Sequence, residues 1–149
     1  MSLASCKFCR GLSHILAALF NSRAEFVRAW EAYRPAVNTA TSVQSRWVGE
    51  WVSNVSGHHG ELKCILTIVR PGELEARFLG TFRRIFRVAY AVHLNAKDIP
   101  EGFQLKGQND LGSLAGGIYQ YEGEVTVAEF KCTYRSDHDH GVFRMKRLN

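Results

Sequence analysis

The sequence predicts a mainly β protein, a closed antiparallel up-and-down barrel of about eight strands preceded by one N-terminal amphipathic helix. Three observations lead to this prediction. From residue 45 onward, apolar side chains recur at every second position, which is the period of a half-buried strand. Short turn signals separate these runs, and no helical period interrupts them. Residues 13–33 instead carry apolar side chains at spacings of three, four and seven, the period of a helix.

The composition is that of an ordinary globular chain. Its 149 residues fit one domain, and 46% hydrophobic with 22% charged residues is unlike a disordered chain. The net charge of +5 comes from scattered Lys and Arg, so we expect no nucleic-acid partner. No apolar run approaches the ~20 residues of a membrane-spanning helix, so we expect no membrane span. The four cysteines are too sparse for a disulfide scaffold, which slightly favours the cytoplasm over export.

The first 43 residues are predicted to form a loose tail, the helix and a polar linker. The apolar stripe of the helix consists of Leu16, Leu19, Phe26, Trp30 and Tyr33. Pro35 ends the helix, because proline cannot continue one. The stripe must be buried, and three alternatives stay open: it packs on the side of the barrel, plugs one end, or forms a homodimer. The second and fourth strands offer a landing surface through outward apolar residues: Ile65, Val69, Ala89 and Ala91.

Residues 44–149 form the predicted barrel domain. The eight predicted strands cover residues 45–55, 61–69, 74–83, 86–95, 103–108, 115–122, 126–134 and 142–148. Gly116 and Gly117 predict a bulge or a sharp bend within the sixth strand. Every strand has one apolar face, and closing the sheet on itself buries these faces and removes both edges. An eight-stranded barrel is either filled by side chains or holds one small ligand.

The first strand carries a G-x-W motif, Gly49-Glu50-Trp51, and the last strand carries Arg144 and Arg147. These features resemble the calycin pattern of the lipocalins, in which a Trp on the first strand packs under a basic side chain from the final strand. The resemblance implies a structural role for Trp51 with Arg144 or Arg147 in closing the base of the barrel. Stacking of a guanidinium on an indole is favourable.

A wider resemblance extends from residue 47 to residue 147. It is carried by Gly49 to Ser53, Ser56 to Leu62, Phe78 to Phe82, Leu111-Gly112, and the closing run Phe130, Tyr134, Ser136, Asp139, Gly141, Phe143 and Arg147. In these strings the chain resembles an uncharacterised bacterial protein family. Because no activity is assigned to that family, the resemblance implies the barrel and no catalytic residues.

Aromatic side chains dominate the predicted interior. The candidate ligand-binding residues are Trp47, Phe78, Phe82, Tyr90, Tyr119, Tyr121 and Tyr134. They could line an apolar pocket with phenolic hydroxyls as anchors, or fill the barrel as plain core. The leading prediction is a non-enzymatic binder of a small apolar or amphipathic molecule. A filled structural or interaction module is an alternative.

Histidines provide a further alternative. The turn after the first strand holds His58 and His59, and the turn before the last holds His138 and His140. These turns are expected to be neighbours, because the last strand closes against the first. Imidazoles gathered at one rim could bind a metal ion such as Zn²⁺, or ligate haem. Ordinary hairpin-turn chemistry also explains the polar residues found there.

The thiols and carboxylates give no further site. Cys64 and Cys132 fall on apolar strand faces, which predicts buried, inert thiols. Cys6 and Cys9 form a lone CxxC without a second pair, so an unstructured tail is favoured over a metal or redox site. The carboxylates are isolated, and the sequence has no nucleophile elbow, phosphate loop or HExxH motif. We therefore do not expect an enzyme.

Overall fold

The computed structural model describes residues 22–35, 41–82, 85–113 and 116–148. The described part of the first helix, α1, covers residues 22–32. The strands are β1 (Ser45–Ser53), β2 (His59–Arg70), β3 (Glu73–Phe82), β4 (Phe86–Ile99), β5 (Gly102–Asp110), β6 (Ile118–Thr126), β7 (Glu129–Arg135) and β8 (His140–Arg147). Cys6, Cys9, Leu16, Leu19 and the predicted start of the helix lie outside the described residues.

All eight strands pair in sequence order, and β8 returns to pair with β1, so that the sheet is a closed barrel. Each neighbouring pair is antiparallel. The predicted fold class is therefore confirmed. Among the described residues, no helix is long and apolar enough to cross a membrane.

The closing seam explains the glycine of the G-x-W motif. Gly49 lies opposite Met145 in the β1–β8 register. A Cβ at Gly49 would overlap the backbone oxygen of Arg144 and lie 2.7 Å from the Cα of Met145. The backbone of β8 approaches β1 too closely at this point for any side chain, so a glycine is required there.

One half of the barrel is filled by large side chains. Trp47, Phe78 and Phe130 are essentially fully buried, with exposed fractions of 0%, 1% and 0%. The ring centroids of Trp47 and Phe130 lie 5.9 Å apart, in an edge-on arrangement. The indole N–H of Trp47 also donates a hydrogen bond to the backbone oxygen of Val43, in the segment before β1, at 3.2 Å. The chain that enters β1 thus closes this end of the barrel.

Helix α1 packs on the outside of the barrel. Phe26, only 2% exposed, forms a second buried cluster with Ile65 of β2 and Ala89 of β4. The side chains that pack against this cluster are Ala29, Trp30, Tyr33 and Leu79. Of the three predicted alternatives for the apolar stripe, the described residues show packing on the side of the barrel. The contacts lie on the outward faces of β2 and β4, where the sequence places apolar residues.

Most strand boundaries differ from the predicted ones by a few residues, and in two regions the physical reason is clear. The sixth strand begins at Ile118, because Gly116 and Gly117 have φ angles of 100° and 78° and form the preceding turn rather than a bulge. The fourth and fifth strands extend towards each other, leaving a turn at Pro100 and Glu101. The backbone hydrogen bonds between β4 and β5 continue beyond the point where the alternation of apolar side chains ends. The sequence pattern therefore underestimates the length of these two strands.

Candidate functional site

The upper half of the barrel interior contains an open cavity of about 500 Å³. The lining residues come from seven of the eight strands and from the turns at the mouth: Trp51, Ser56, His58, Leu62, Phe82, Phe86, Val88, Tyr90, Leu111, Gly116, Tyr119, Tyr121, Tyr134, Asp139 and Phe143. A volume of this size is within the range of small-molecule sites. Three other depressions are larger, with volumes of about 520, 590 and 850 Å³. The two largest of them are lined mainly by polar and charged side chains.

The structure brings most of the predicted ligand-binding side chains to this cavity. Phe82, Tyr90, Tyr119, Tyr121 and Tyr134 all line it. The two others lie deeper in the barrel. The ring of Phe78 lies 5.2 Å from that of Tyr90 and 5.4 Å from that of Phe143, so it forms the layer beneath the cavity. Trp47 lies below that layer, in the filled half.

Trp51 forms part of the cavity wall. Its indole N–H donates a hydrogen bond to the backbone oxygen of Thr81 at 3.1 Å, and its ring lies 4.8 Å from that of Phe82. These contacts join β1 to the end of β3 across β2. Trp51 therefore both supports the rim of the barrel and presents an aromatic surface to the cavity.

Neither of the two C-terminal arginines is the register partner of Trp51, which lies opposite Phe143. Arg144 is exposed and lies opposite Glu50, whereas Arg147 lies opposite Trp47. Arg147 Nε donates to Ser45 Oγ at 3.2 Å, and its Nη2 donates to the backbone oxygen of Ser42 at 2.5 Å. These bonds tie β8 to the linker at the closed end. Stacking of either arginine on Trp51 stays a prediction.

The histidine-bearing turns are neighbours at the mouth of the barrel. The backbone N–H of Asn54 donates to the backbone oxygen of His140 at 2.8 Å, which joins the β1–β2 and β7–β8 turns. Of the four predicted metal ligands, His58, His59, His138 and His140, only His58 lines the cavity. Within the described ranges, no group of three or more His, Cys, Asp or Glu side chains could hold a metal ion. A metal or haem site remains a prediction from the sequence alone.

A buried hydroxyl and a carboxylate join the same two turns. Ser53 Oγ, on a residue only 2% exposed, donates to Asp139 Oδ1 at 2.6 Å. The same oxygen accepts hydrogen bonds from the backbone N–H groups of Val55 and Ser56, at 3.2 and 3.1 Å. Tyr134 OH donates to Asp139 Oδ2 at 3.3 Å. Sequence reasoning missed this pair, although a small polar residue on the bulky inward face of β1 was an available signal.

Three phenols of the cavity have raised pKa values, which keep them in their neutral form. Burial raises the pKa of Tyr90 and that of Tyr121 well above the ordinary value of a phenol. Burial also raises the pKa of Tyr134, and the negative charge of Asp139 raises it further. Neutral phenols donate and accept hydrogen bonds but are poor proton acceptors. These three phenols can therefore both donate and accept hydrogen bonds at the cavity wall.

The strand pairing has a gap between β4 and β5 near the mouth of the barrel. The pairing of β4 with β5 ends at Leu94 and Gly107, so residues 86–93 of β4 have β3 as their strand partner in the described pairing. A side-chain hydrogen bond partly replaces the missing ladder, since Asn109 Nδ2 donates to the backbone oxygen of Ala91 at 2.8 Å. Val88 and Tyr90 of this segment line the cavity, which is thus accessible near the rim.

The chain is a closed, eight-stranded antiparallel barrel with a filled base and an open aromatic cavity. No known protein family matches its sequence. No curated protein matches it either. Two solved structures have a similar fold. One is a de novo designed fluorescence-activating β-barrel, with a TM-score of 0.51 and 16% identity over 70% of this chain and 92% of that one. The other is a redesigned β-barrel, with a TM-score of 0.55 and 12% identity over 77% of this chain and all of that one.

Proposed function

We propose that this protein is a non-enzymatic binder of a small apolar or amphipathic molecule, held in the cavity at the open end of the barrel. The observation that carries the proposal is the combination of about 500 Å³ of open interior with a filled base. Small-molecule sites are concave and mainly apolar, with a few polar groups that orient the ligand. The phenols of Tyr90, Tyr121 and Tyr134 provide such groups here.

The alternative is a structural module whose interior has no ligand. The filled base around Trp47, Phe78 and Phe130 already supplies a substantial core. The barrel can therefore be stable without a ligand in its open half. An aromatic surface left facing an accessible cavity is costly in water, and this cost favours a ligand. The fluorescence-activating design has the same fold, so this type of barrel is compatible with such an activity.

A titration with a neutral fluorescent probe, N-phenyl-1-naphthylamine, tests the proposal. We expect a saturable rise in probe fluorescence with one probe per chain. In the Val88→Phe variant, the larger side chain occupies part of the cavity, and we expect affinity to fall about tenfold, which corresponds to about 1.4 kcal/mol. Circular dichroism spectra check that the barrel is retained.

Val69→Phe is the matched control, because it makes the same substitution at an exposed position that does not line the cavity. We expect its affinity to equal that of the unsubstituted protein. Equal weakening by both variants would place the probe outside the barrel. The absence of any saturable signal from the unsubstituted protein would favour the structural module.

A further inference from the structure

The lining of the cavity has an unusual chemical composition. Eight of its fifteen residues are aromatic: Trp51, Phe82, Phe86, Tyr90, Tyr119, Tyr121, Tyr134 and Phe143. Asp139 contributes the one carboxylate, and no Lys or Arg belongs to the described lining. Apart from Asp139 and the phenols, the ionisable side chain in the described lining is that of His58, which is exposed at the rim. The described lining thus combines aromatic rings with a negative charge and lacks a permanent positive one.

The charge of Asp139 is not neutralised by a described basic group. Its two carboxylate oxygens accept hydrogen bonds from the hydroxyls of Ser53 and Tyr134, which are both uncharged donors. Asp139 forms no ion pair with a described Lys, Arg or His side chain. A carboxylate can accept about four hydrogen bonds, so Asp139 has capacity for a further donor from the cavity.

The hydroxyl contacts also orient the carboxylate. Asp139 is half-buried in the turn before β8, with one oxygen held by β1 and the other by β7. Close to it, the rings of Tyr119 and Tyr134 lie 6.1 Å apart. An ammonium group among aromatic rings gains cation–π attraction, and a nearby carboxylate adds a charge-assisted hydrogen bond. An anionic head group would instead meet an uncompensated like charge.

We propose that the cavity selects amphipathic organic cations, with an ammonium head group at Asp139 and Tyr134 and an apolar body against the aromatic wall. This inference rests on the proposed ligand-binding function and adds the chemical class of the ligand. Asp139 is the residue that determines specificity, because it is the charged group that distinguishes a cationic head group from a neutral or anionic one. The aromatic wall contributes to the binding of all three types of molecule.

Three probes with the same eight-carbon tail isolate the contribution of the head group: n-octylammonium, n-octanol and n-octanoate. At about pH 7 an aliphatic amine is protonated and a carboxylic acid is ionised. Affinities are measured by isothermal titration calorimetry and by changes in tryptophan fluorescence, to which Trp51 in the cavity wall contributes. We expect octylammonium to bind about tenfold more tightly than octanol, and octanoate to bind more weakly than octanol.

The variant Asp139→Asn removes the charge and keeps a side chain of the same shape that can hydrogen-bond to Ser53. We expect it to abolish the preference for octylammonium over octanol, chiefly by weakening the binding of octylammonium. Asp137→Asn is the matched control, since it makes the same charge change in the same turn at an exposed residue outside the cavity lining. We expect this control to retain the preference.

The outcomes separate this inference from the function on which it rests. If octanol binds but octylammonium binds no more tightly, the proposed selectivity is overturned and the ligand-binding function stands. If Asp139→Asn retains the full preference, the assignment to Asp139 is wrong. If none of the three probes binds, the ligand-binding function itself fails. The comparison of the three probes uses the unsubstituted protein. The selectivity can therefore be decided even if the variants do not fold.

Discussion

The side-chain hydroxyl of Ser53 donates a hydrogen bond to Oδ1 of Asp139 at 2.6 Å, although 86 positions of the chain separate the two residues. Ser53 ends β1 and Asp139 precedes β8, so this contact lies at the mouth end of the seam that closes the barrel. The same contact sets the position of the carboxylate in the cavity wall. This pair of side chains thus joins the closing seam of the barrel to the wall of the cavity.

Replacing Ser53 by alanine tests the structural part of this relationship. The substitution removes a buried donor to Asp139 and an acceptor for two backbone N–H groups. We expect the free energy of unfolding to fall by about 1–3 kcal/mol, measured by urea denaturation. Ser56→Ala is the control, because the exposed Ser56 hydroxyl accepts one bond, from His58, and its loss should cost less than about 0.5 kcal/mol. Equal losses in the two variants would contradict the assigned role of Ser53.

Docking of the helix can be tested through Phe26. Its side chain packs on Ile65 and Ala89 and stacks on Trp30 with ring centroids 5.7 Å apart. We expect Phe26→Ala to cost about 3 kcal/mol, or to release the helix, because a large buried ring is lost. Urea denaturation measures the first result, and faster hydrogen exchange confined to the helix reports the second.

The neighbouring residue Val27 provides the control, since it is 39% exposed on the same helix. We expect Val27→Ala to change the free energy of unfolding by less than about 1 kcal/mol and to leave hydrogen exchange unchanged. An unaltered stability and exchange pattern in Phe26→Ala would mean that the helix does not pack on β2 and β4 in solution.

The closing seam makes a prediction at Gly49. A methyl group there would overlap the backbone of Arg144, which cannot move without separating β8 from β1. We expect Gly49→Ala to destabilise the protein by about 2–3 kcal/mol or to prevent cooperative unfolding altogether, as monitored by thermal and urea denaturation. At Gly80 the nearest atom to an added Cβ is a side-chain carbon of Phe82 at 3.2 Å, so Gly80→Ala should cost clearly less. A harmless Gly49→Ala would argue against this strand pairing.

The barrel thiols should be unreactive in the folded protein. Burial raises the pKa of Cys64 well above the ordinary value and raises that of Cys132 to about 12. Since the thiolate is the reactive form, and raised pKa values make it scarce, a thiol-specific disulfide reagent at about pH 8 should react slowly. The measurement uses a variant with Cys6 and Cys9 replaced by serine, so that only the barrel thiols report.

In urea at the same pH, both of these thiols should react rapidly, because unfolding exposes them and removes the pKa shift. Rapid reaction without denaturant would mean that Cys64 or Cys132 is exposed in solution rather than buried in the barrel.

The two-residue period identified the inward face of the strands that carry the predicted aromatic residues. Trp51, Phe82, Tyr90 and Tyr134 all point into the barrel as their alternation predicts, and Cys64 and Cys132 are buried on the same faces. Periodicity could predict this because it depends on the backbone alone, whatever the partner strands are. The outward apolar residues Ile65 and Ala89 similarly indicated where the helix packs.

What the sequence by itself determined is therefore the fold class and much of the inward set of side chains, since both follow from local periodicity. The packing of the helix on the side of the barrel was one of three alternatives that the sequence left open, and the tertiary structure decided among them. Tertiary structure alone decided which inward residues form the base and which line the cavity. The height of a residue in the barrel depends on strand register and tilt, which long-range pairing sets. For the same reason Trp47 and Phe78 lie below the cavity, whereas Asp139, in a turn with no periodic signal, belongs to its wall.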